Sequence, residues 1–256
     1  MPEDTIPDAM SEDKIYQREL YNQQEPRSQQ EPPDPKLDIV RLIKIIFGSP
    51  VGIILATIFL AIKGTTQSGN LFVWILCAGL GPLAINVLAL RRSPKDFGFT
   101  LPSGSSWIKD LCIVLALTIL LMVGVARIPA FQIYYSVHYT SFLAAIWGLL
   151  GQTVIYYFFE ECLFHGFMFF SLLRKVGKTW ATVWVSLVFA ILHIGKPGLE
   201  LLLAFIYSII FCWLSMRSKS FFSAAIVHFV MSLVVNILVA YVWLGPAAAA
   251  LTNVKY

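Results

Sequence analysis

The sequence predicts an all-α fold, a polytopic transmembrane helical bundle of about seven spans, on three observations. Mean hydropathy is +0.72, with 57% hydrophobic and 13% charged residues over 256 positions, more apolar surface than a soluble domain can hide from water. The apolar residues gather into runs of spanning or near-spanning length near 42–62, 71–90, 110–126, 142–173, 179–194, 199–216 and 221–244. The Lys and Arg residues flanking these runs alternate in density, twelve on the side of the N-terminus and four on the other, which places the N-terminus in the cytoplasm and, with an odd span count, the C-terminus opposite.

Residues 1–36 carry nine acids and four bases, are rich in Gln, Glu, Pro and Asp, and hold no apolar run. They read as a disordered cytoplasmic tail, and since they lack the pattern of a signal peptide the first apolar run is expected to serve as the anchor. Pro50, after Gly48 and Ser49, is expected to kink that run. The connection 91–109 (RRSPKDFGFTLPSGSSWIK) is the longest, with turn residues ahead of a helix cap at Ser105 or Ser106. The run 179–194 is short for a ~30 Å hydrocarbon core, so its far end is expected to stop inside the protein. No internal repeat is visible, and 37–256 reads as one helical-bundle domain.

Composition also excludes. The bases fall in short clusters at the ends of apolar runs with no continuous basic face, which argues against a nucleic-acid partner and for membrane lipid. Cys77, Cys112, Cys162 and Cys212 stand singly in four apolar runs, without the spacing of a metal or disulfide framework, and read as small hydrophobes.

Only six acids lie beyond Lys36, and two of them, Glu160 and Glu161, are adjacent inside an apolar run together with His165. A carboxylate at the centre of a spanning helix costs roughly 3 kcal/mol, so the pair must be neutralised or face a polar cavity, and an intramembrane acid is first of all a functional residue. Neighbours on a helix differ by ~100° in direction, so the two have different tasks. Glu161 and His165 are i and i+4 and can pair. That leaves Glu160, on the stripe Gln152, Tyr156, Glu160, as the freer carboxylate and the better general base toward water. His193 and His228 lie in later apolar runs. One such histidine is ordinarily an interhelical hydrogen bond, but three with a Glu pair point to hydrolysis. Glu160, Glu161, His165, His193 and His228 also form an N/O ligand set that zinc accepts, with Glu160, His193 and His228 the first candidates, although no HExxH helix is present and a glutamate-activated water requires no ion.

Glu160-Glu161-x-x-x-His165-Gly166, Phe189-x-x-x-His193 and His228-x-x-x-Ser232 resemble, in order and spacing, the EExxxR, FxxxH and HxxxN motifs of the CAAX protease and bacteriocin-processing family, also called Abi or CPBP proteins. The resemblance covers about residues 90–240, including the stretch Lys95-Asp-Phe-Gly-Phe. It implies an intramembrane endopeptidase in which Glu160 activates water and His193 and His228 assist. Two positions depart. His165 stands where the family has Arg, so a permanent ion pair to Glu161 becomes one that titrates. Ser232 stands where it has Asn, the oxyanion donor, and supplies one donor instead of two. Asn236, one turn on, is a substitute displaced by about 6 Å.

The leading expectation is therefore an endopeptidase that cleaves a peptide or protein substrate, lipidated in the CAAX-type members, in or near the bilayer of a prokaryotic plasma membrane. Two rivals remain: a family member that lost catalysis through the changes at His165 and Ser232 and acts as an immunity or interaction protein, and a proton-coupled carrier.

Overall fold

Long apolar stretches in a chain with no partner for their backbone groups must satisfy those groups internally, and helices do so segment by segment. The computed structural model describes residues 39–66, 71–102, 104–135, 151 and 153–239, and every element among them is helical apart from one isolated bridge between Ile194 and Lys196. The expected tail at 1–36, Gln152, and most of 136–153 lie outside the described residues.

The first apolar run is two helices, α1 (Ile39–Gly48) and α2 (Pro50–Thr66), parted at Ser49 with Pro50 opening the second. Proline lacks the N–H that a continuing helix would need there. The Ser49 hydroxyl spans the break, accepting from the Gly52 amide at 3.0 Å and donating to the Ile46 carbonyl at 3.2 Å. Next comes a composite rod, α3, in which α-helical Leu71–Trp74 and Gly81–Ala84 alternate with π-helical Ile75–Leu80 and Ile85–Ala89.

The connection that follows is ordered. Ser93 and Asp96 form a reciprocal cap around a 3₁₀ turn, Pro94–Phe97, and Gly98 then takes a left-handed conformation (φ 75°) that L side chains adopt only at a cost. Phe97 is wholly buried, and the turn is tied to the later chain by the Phe221 amide donating to the Gly98 carbonyl and by Ser220 donating to the Thr100 carbonyl. α4 (Ser106–Val125) begins where the sequence signals, but the Ser105 hydroxyl makes no capping bond; the Trp107 indole N–H instead donates to the Gly104 carbonyl at 2.8 Å. A short helix, α5 (Pro129–Tyr135), follows.

The run 142–173 and its short successor join without a loop. α6 (Val154–Glu161) continues through π-helical Cys162–Met168 into α7 (Phe169–Ile191), whose only non-helical residue is Gly177, at φ 75° and ψ 173°. That region of backbone space is open essentially to glycine alone, so Gly177 turns one helix into the next. α7 ends at Ile191, and α8 (Gly198–Ser218) and α9 (Phe222–Ile237) complete the described chain.

α7 packs along α8, while α9 sits between α4, α6 and α8. The core between α4, α5, α8 and α9 is apolar, with Phe211, Leu214, Ala224 and Val227 fully buried. Polar ties cross it: Tyr207 donates to Thr118 at 3.0 Å and Arg217 to Asp110 at 3.0 Å. The outer surface is apolar as well, with Phe59, Phe72, Leu88, Leu117 and Leu120 each at least 60% exposed, which suits lipid and not water. Among the described residues three helices are long and apolar enough to cross a membrane, Leu71–Leu88, Ser106–Val125 and Gly198–Ser218, and Pro50–Thr65 and Phe222–Ile237 are shorter apolar helices.

Candidate active site

α6 brings Glu160 and Glu161 inward at a point where the helix is about to loosen into its π-helical stretch, a distortion frequent at functional sites. α6 is fixed from outside by Trp74 of α3, whose indole stacks on Tyr156 (centroids 4.7 Å apart) and donates to the Tyr156 carbonyl at 3.0 Å. Tyr156, on the stripe of Glu160 in sequence, is thus engaged with α3.

The two carboxylates have different neighbours. Glu161 is wholly buried and serves two histidines: its Oε2 is in close ion-pair contact with His165 Nδ1, and its Oε1 accepts from His228 Nδ1 at 2.6 Å. The other nitrogen of His165 lies 2.9 Å from the Ser208 hydroxyl of α8, and its ring is wedged edge-on between Phe189 and Phe211, both 5.3 Å away. Glu160 is 7% exposed, its Oε2 is buried and takes no hydrogen bond among the described residues, and His228 Nδ1 stands 3.7 Å from it.

His193 lies just past the end of α7, in the turn before α8. Its Nδ1 is 2.7 Å from the Phe189 carbonyl, one turn back, and a carbonyl only accepts, so Nδ1 carries the hydrogen and Nε2 is left as the acceptor. This is the physical meaning of the Phe189-x-x-x-His193 spacing: an (i, i+4) bond fixes the tautomer while the Phe189 ring packs at 4.6 Å.

His193 and His228 share the wall of a cavity of about 50 Å³, enough for water. Tyr135, Tyr157, Lys196, Glu200, Tyr207 and Ser232 supply the rest of its polar lining, and Phe131, Phe189, Leu203 and Met231 are among the apolar side chains around them. Neither Glu160 nor Glu161 forms part of that wall. The Ser232 hydroxyl donates to Tyr157 at 3.0 Å, and the Asn236 amide donates to the Ser232 carbonyl at 2.8 Å and to its hydroxyl at 3.2 Å.

Four contributors were not singled out by sequence. Tyr157 is one turn before the Glu pair on α6, a spacing that could have pointed to it. Ser208 reads as a small residue in an apolar helix. Lys196 counts in the sequence as a loop base marking topology, but it lines the cavity and pairs with Glu200 at 2.8 Å. Tyr135 donates to the same Glu200 oxygen at 2.8 Å, tying α5 to α8. Burial alone would lower the Lys196 ammonium, which lies in the connection outside the spanning helices; Tyr157, Glu200 and Glu160, with the bond to Glu200, outweigh burial and hold it above the ordinary lysine range.

Ligand atoms of Glu160, Glu161 and His228 lie within 4.8 Å of one another, but His193 is not part of that group. Both Glu161 oxygens and His228 Nδ1 are already engaged with each other and with His165, and a metal would have to break that pairing. A metal held by Glu160, Glu161 and His228 would compete with those imidazole contacts.

No curated protein and no solved structure matches the chain. The model of one protein family does match, described as type II CAAX prenyl endopeptidase Rce1-like, over residues 140–234. That span holds all three motifs, from Glu160 to Ser232, and it agrees with the resemblance that the motifs carry. Over residues 140–234 the chain is similar to the Rce1-like CAAX protease family, and the apolar helices around that segment are those of an integral membrane protein.

Proposed function

We propose that the protein is an intramembrane endopeptidase that hydrolyses a peptide bond in or near the bilayer, with Glu160 as general base and His193 and His228 assisting. The observation that carries the reading is the asymmetry of the Glu pair. Glu161 has an imidazole against each oxygen, His228 hydrogen-bonded to Oε1 and His165 in ion-pair contact with Oε2, whereas Glu160 has only His228 near it, at 3.7 Å, and no hydrogen bond to its buried Oε2 among the described residues. A carboxylate in that condition is a ready acceptor for the proton of a water molecule.

In the proposed step, water held by Glu160 attacks the scissile carbonyl carbon. A C–O bond forms, the carbonyl π pair moves to oxygen, and one water proton passes to Glu160. The tetrahedral intermediate then collapses, the C–N bond breaks, and the leaving nitrogen takes that proton. His193 offers Nε2 as an acceptor from within the cavity, and His228, oriented by Glu161, stands beside both carboxylates. No ion is needed for this sequence.

The family match supports a peptide or protein substrate, and a lipidated C-terminal segment is the substrate class we propose from it. We further propose about seven spans with a cytoplasmic N-terminus, from the charge alternation in the sequence. The test is cleavage of a prenylated CAAX-type peptide by the purified protein in detergent. Wild type is expected to release the C-terminal fragment, and Glu160→Ala and His193→Ala to lose that activity by several orders of magnitude. Equal turnover by Glu160→Ala and wild type would overturn the reading, and an inert wild type would shift it to an immunity or interaction protein.

A further inference from the structure

The tetrahedral step develops negative charge on the substrate oxygen, and a donor fixed beforehand must face it. Ser232, at the position expected to supply that donor, has a single hydroxyl hydrogen, and the structure directs it at Tyr157 (3.0 Å). The Ser232 oxygen in turn accepts from Asn236 at 3.2 Å. Asn236, Ser232 and Tyr157 therefore form a relay in which each group donates to the next. The hydrogen left over at its end is the phenolic one, on a residue that lines the cavity with His193 and His228.

We propose that the Tyr157 hydroxyl is the donor that holds the substrate's carbonyl oxygen as it becomes an oxyanion, with Ser232 and Asn236 as positioning residues. The inference rests on the protease reading above. Three features support it. Tyr157 precedes Glu160 and Glu161 by three and four residues, so its side chain stands on their side of α6, about 5 Å along the axis. Its ring packs on His228, with centroids 4.1 Å apart and planes 38° apart, which fixes where the hydroxyl points. Accepting from Ser232 polarises the phenol and strengthens its own donation, as in other hydrogen-bonded chains. Ser232 could serve the substrate directly only by abandoning Tyr157, and Asn236 only by abandoning Ser232.

The experiment uses the full chain in detergent and a fluorogenic prenylated peptide. Tyr157→Phe, which keeps the ring on His228, is expected to lower kcat by about 10²- to 10³-fold with KM little changed, as for loss of one oxyanion donor elsewhere. Ser232→Ala removes only orientation and is expected to cost about tenfold. Adding Ser232→Asn to Tyr157→Phe should recover part of the lost kcat, because the amide brings a donor of its own. A ring-fluorinated tyrosine at 157 keeps shape and packing but changes donor acidity, so it should alter kcat; it also covers the case in which Tyr157→Phe fails to fold. Wild-type kcat in Tyr157→Phe or in the fluorinated protein, with Glu160→Ala inactive, overturns this proposal and leaves the protease reading standing. Activity that survives Glu160→Ala removes both.

Discussion

Glu161→Gln is the sharpest test of how the site is held. The substitution keeps the size and planarity of the side chain but replaces one acceptor oxygen by an NH₂ group. In the native site that carboxylate meets His228 Nδ1 at 2.6 Å on one oxygen and His165 Nδ1 on the other, both out of water. Hydrogen bonds to a charged partner contribute about 1.5–3 kcal/mol each, and an amide retains one neutral bond of about 1 kcal/mol while facing the second imidazole donor to donor. The net loss is about 2–5 kcal/mol, which for a chain of this size lowers the unfolding midpoint by on the order of 5–20 °C. Thermal unfolding of the detergent-solubilised protein, followed through its seven tryptophans, reads this directly. Proteolysis should fall as well, since His228 loses the partner that orients it. A midpoint within about 1 °C of wild type would show that Glu161 does not hold the two histidines and refute the reasoning.

Three further outcomes are expected. A reporter fused after Lys178 or Lys219 should read cytoplasmic and one after Lys196 should not; a cytoplasmic reading at Lys196 would make the segments on either side a re-entrant pair and lower the span count. Peptide cleavage should be unchanged by a strong chelator, and loss of activity restored by added zinc would overturn the metal-free scheme. Gly98→Ala places a Cβ 2.4 Å from the Phe170 ring at a positive φ, so it should destabilise the fold by about 2–4 kcal/mol, measured by the same unfolding assay; a neutral result would show that the turn does not seat against α7 as described.

Much of this was legible because it follows from local rules. Hydropathy marks a helical membrane protein, Pro50 marks the break between α1 and α2, and the (i, i+4) spacing brings Glu161 to His165 and His193 to the Phe189 carbonyl. The contacts that were not legible depend on how whole helices are rotated and tilted against each other. His228 reaches Glu161 across 67 residues, and nothing in either helix alone names the other as partner. Ser208 and Tyr157 acquire their roles only when α8 meets the π-helical stretch and α9 meets α6. Lys196 misleads for a related reason: a base between two apolar runs normally lies in water, and only the early end of α7 and the facing Glu200 bring it into the cavity instead.

The two imidazoles on Glu161 also reach it at different stages of synthesis. His165 is on the same helix and available as soon as four residues have coiled, so the carboxylate can enter the lipid already accompanied, at less than the roughly 3 kcal/mol that a lone acid would cost. His228 emerges 67 residues later, on α9. Until then Glu160 lacks the imidazole that stands 3.7 Å from it in the folded chain. On the proposed mechanism the site is therefore completed only when α9 docks, and a chain still on the ribosome would carry no working protease.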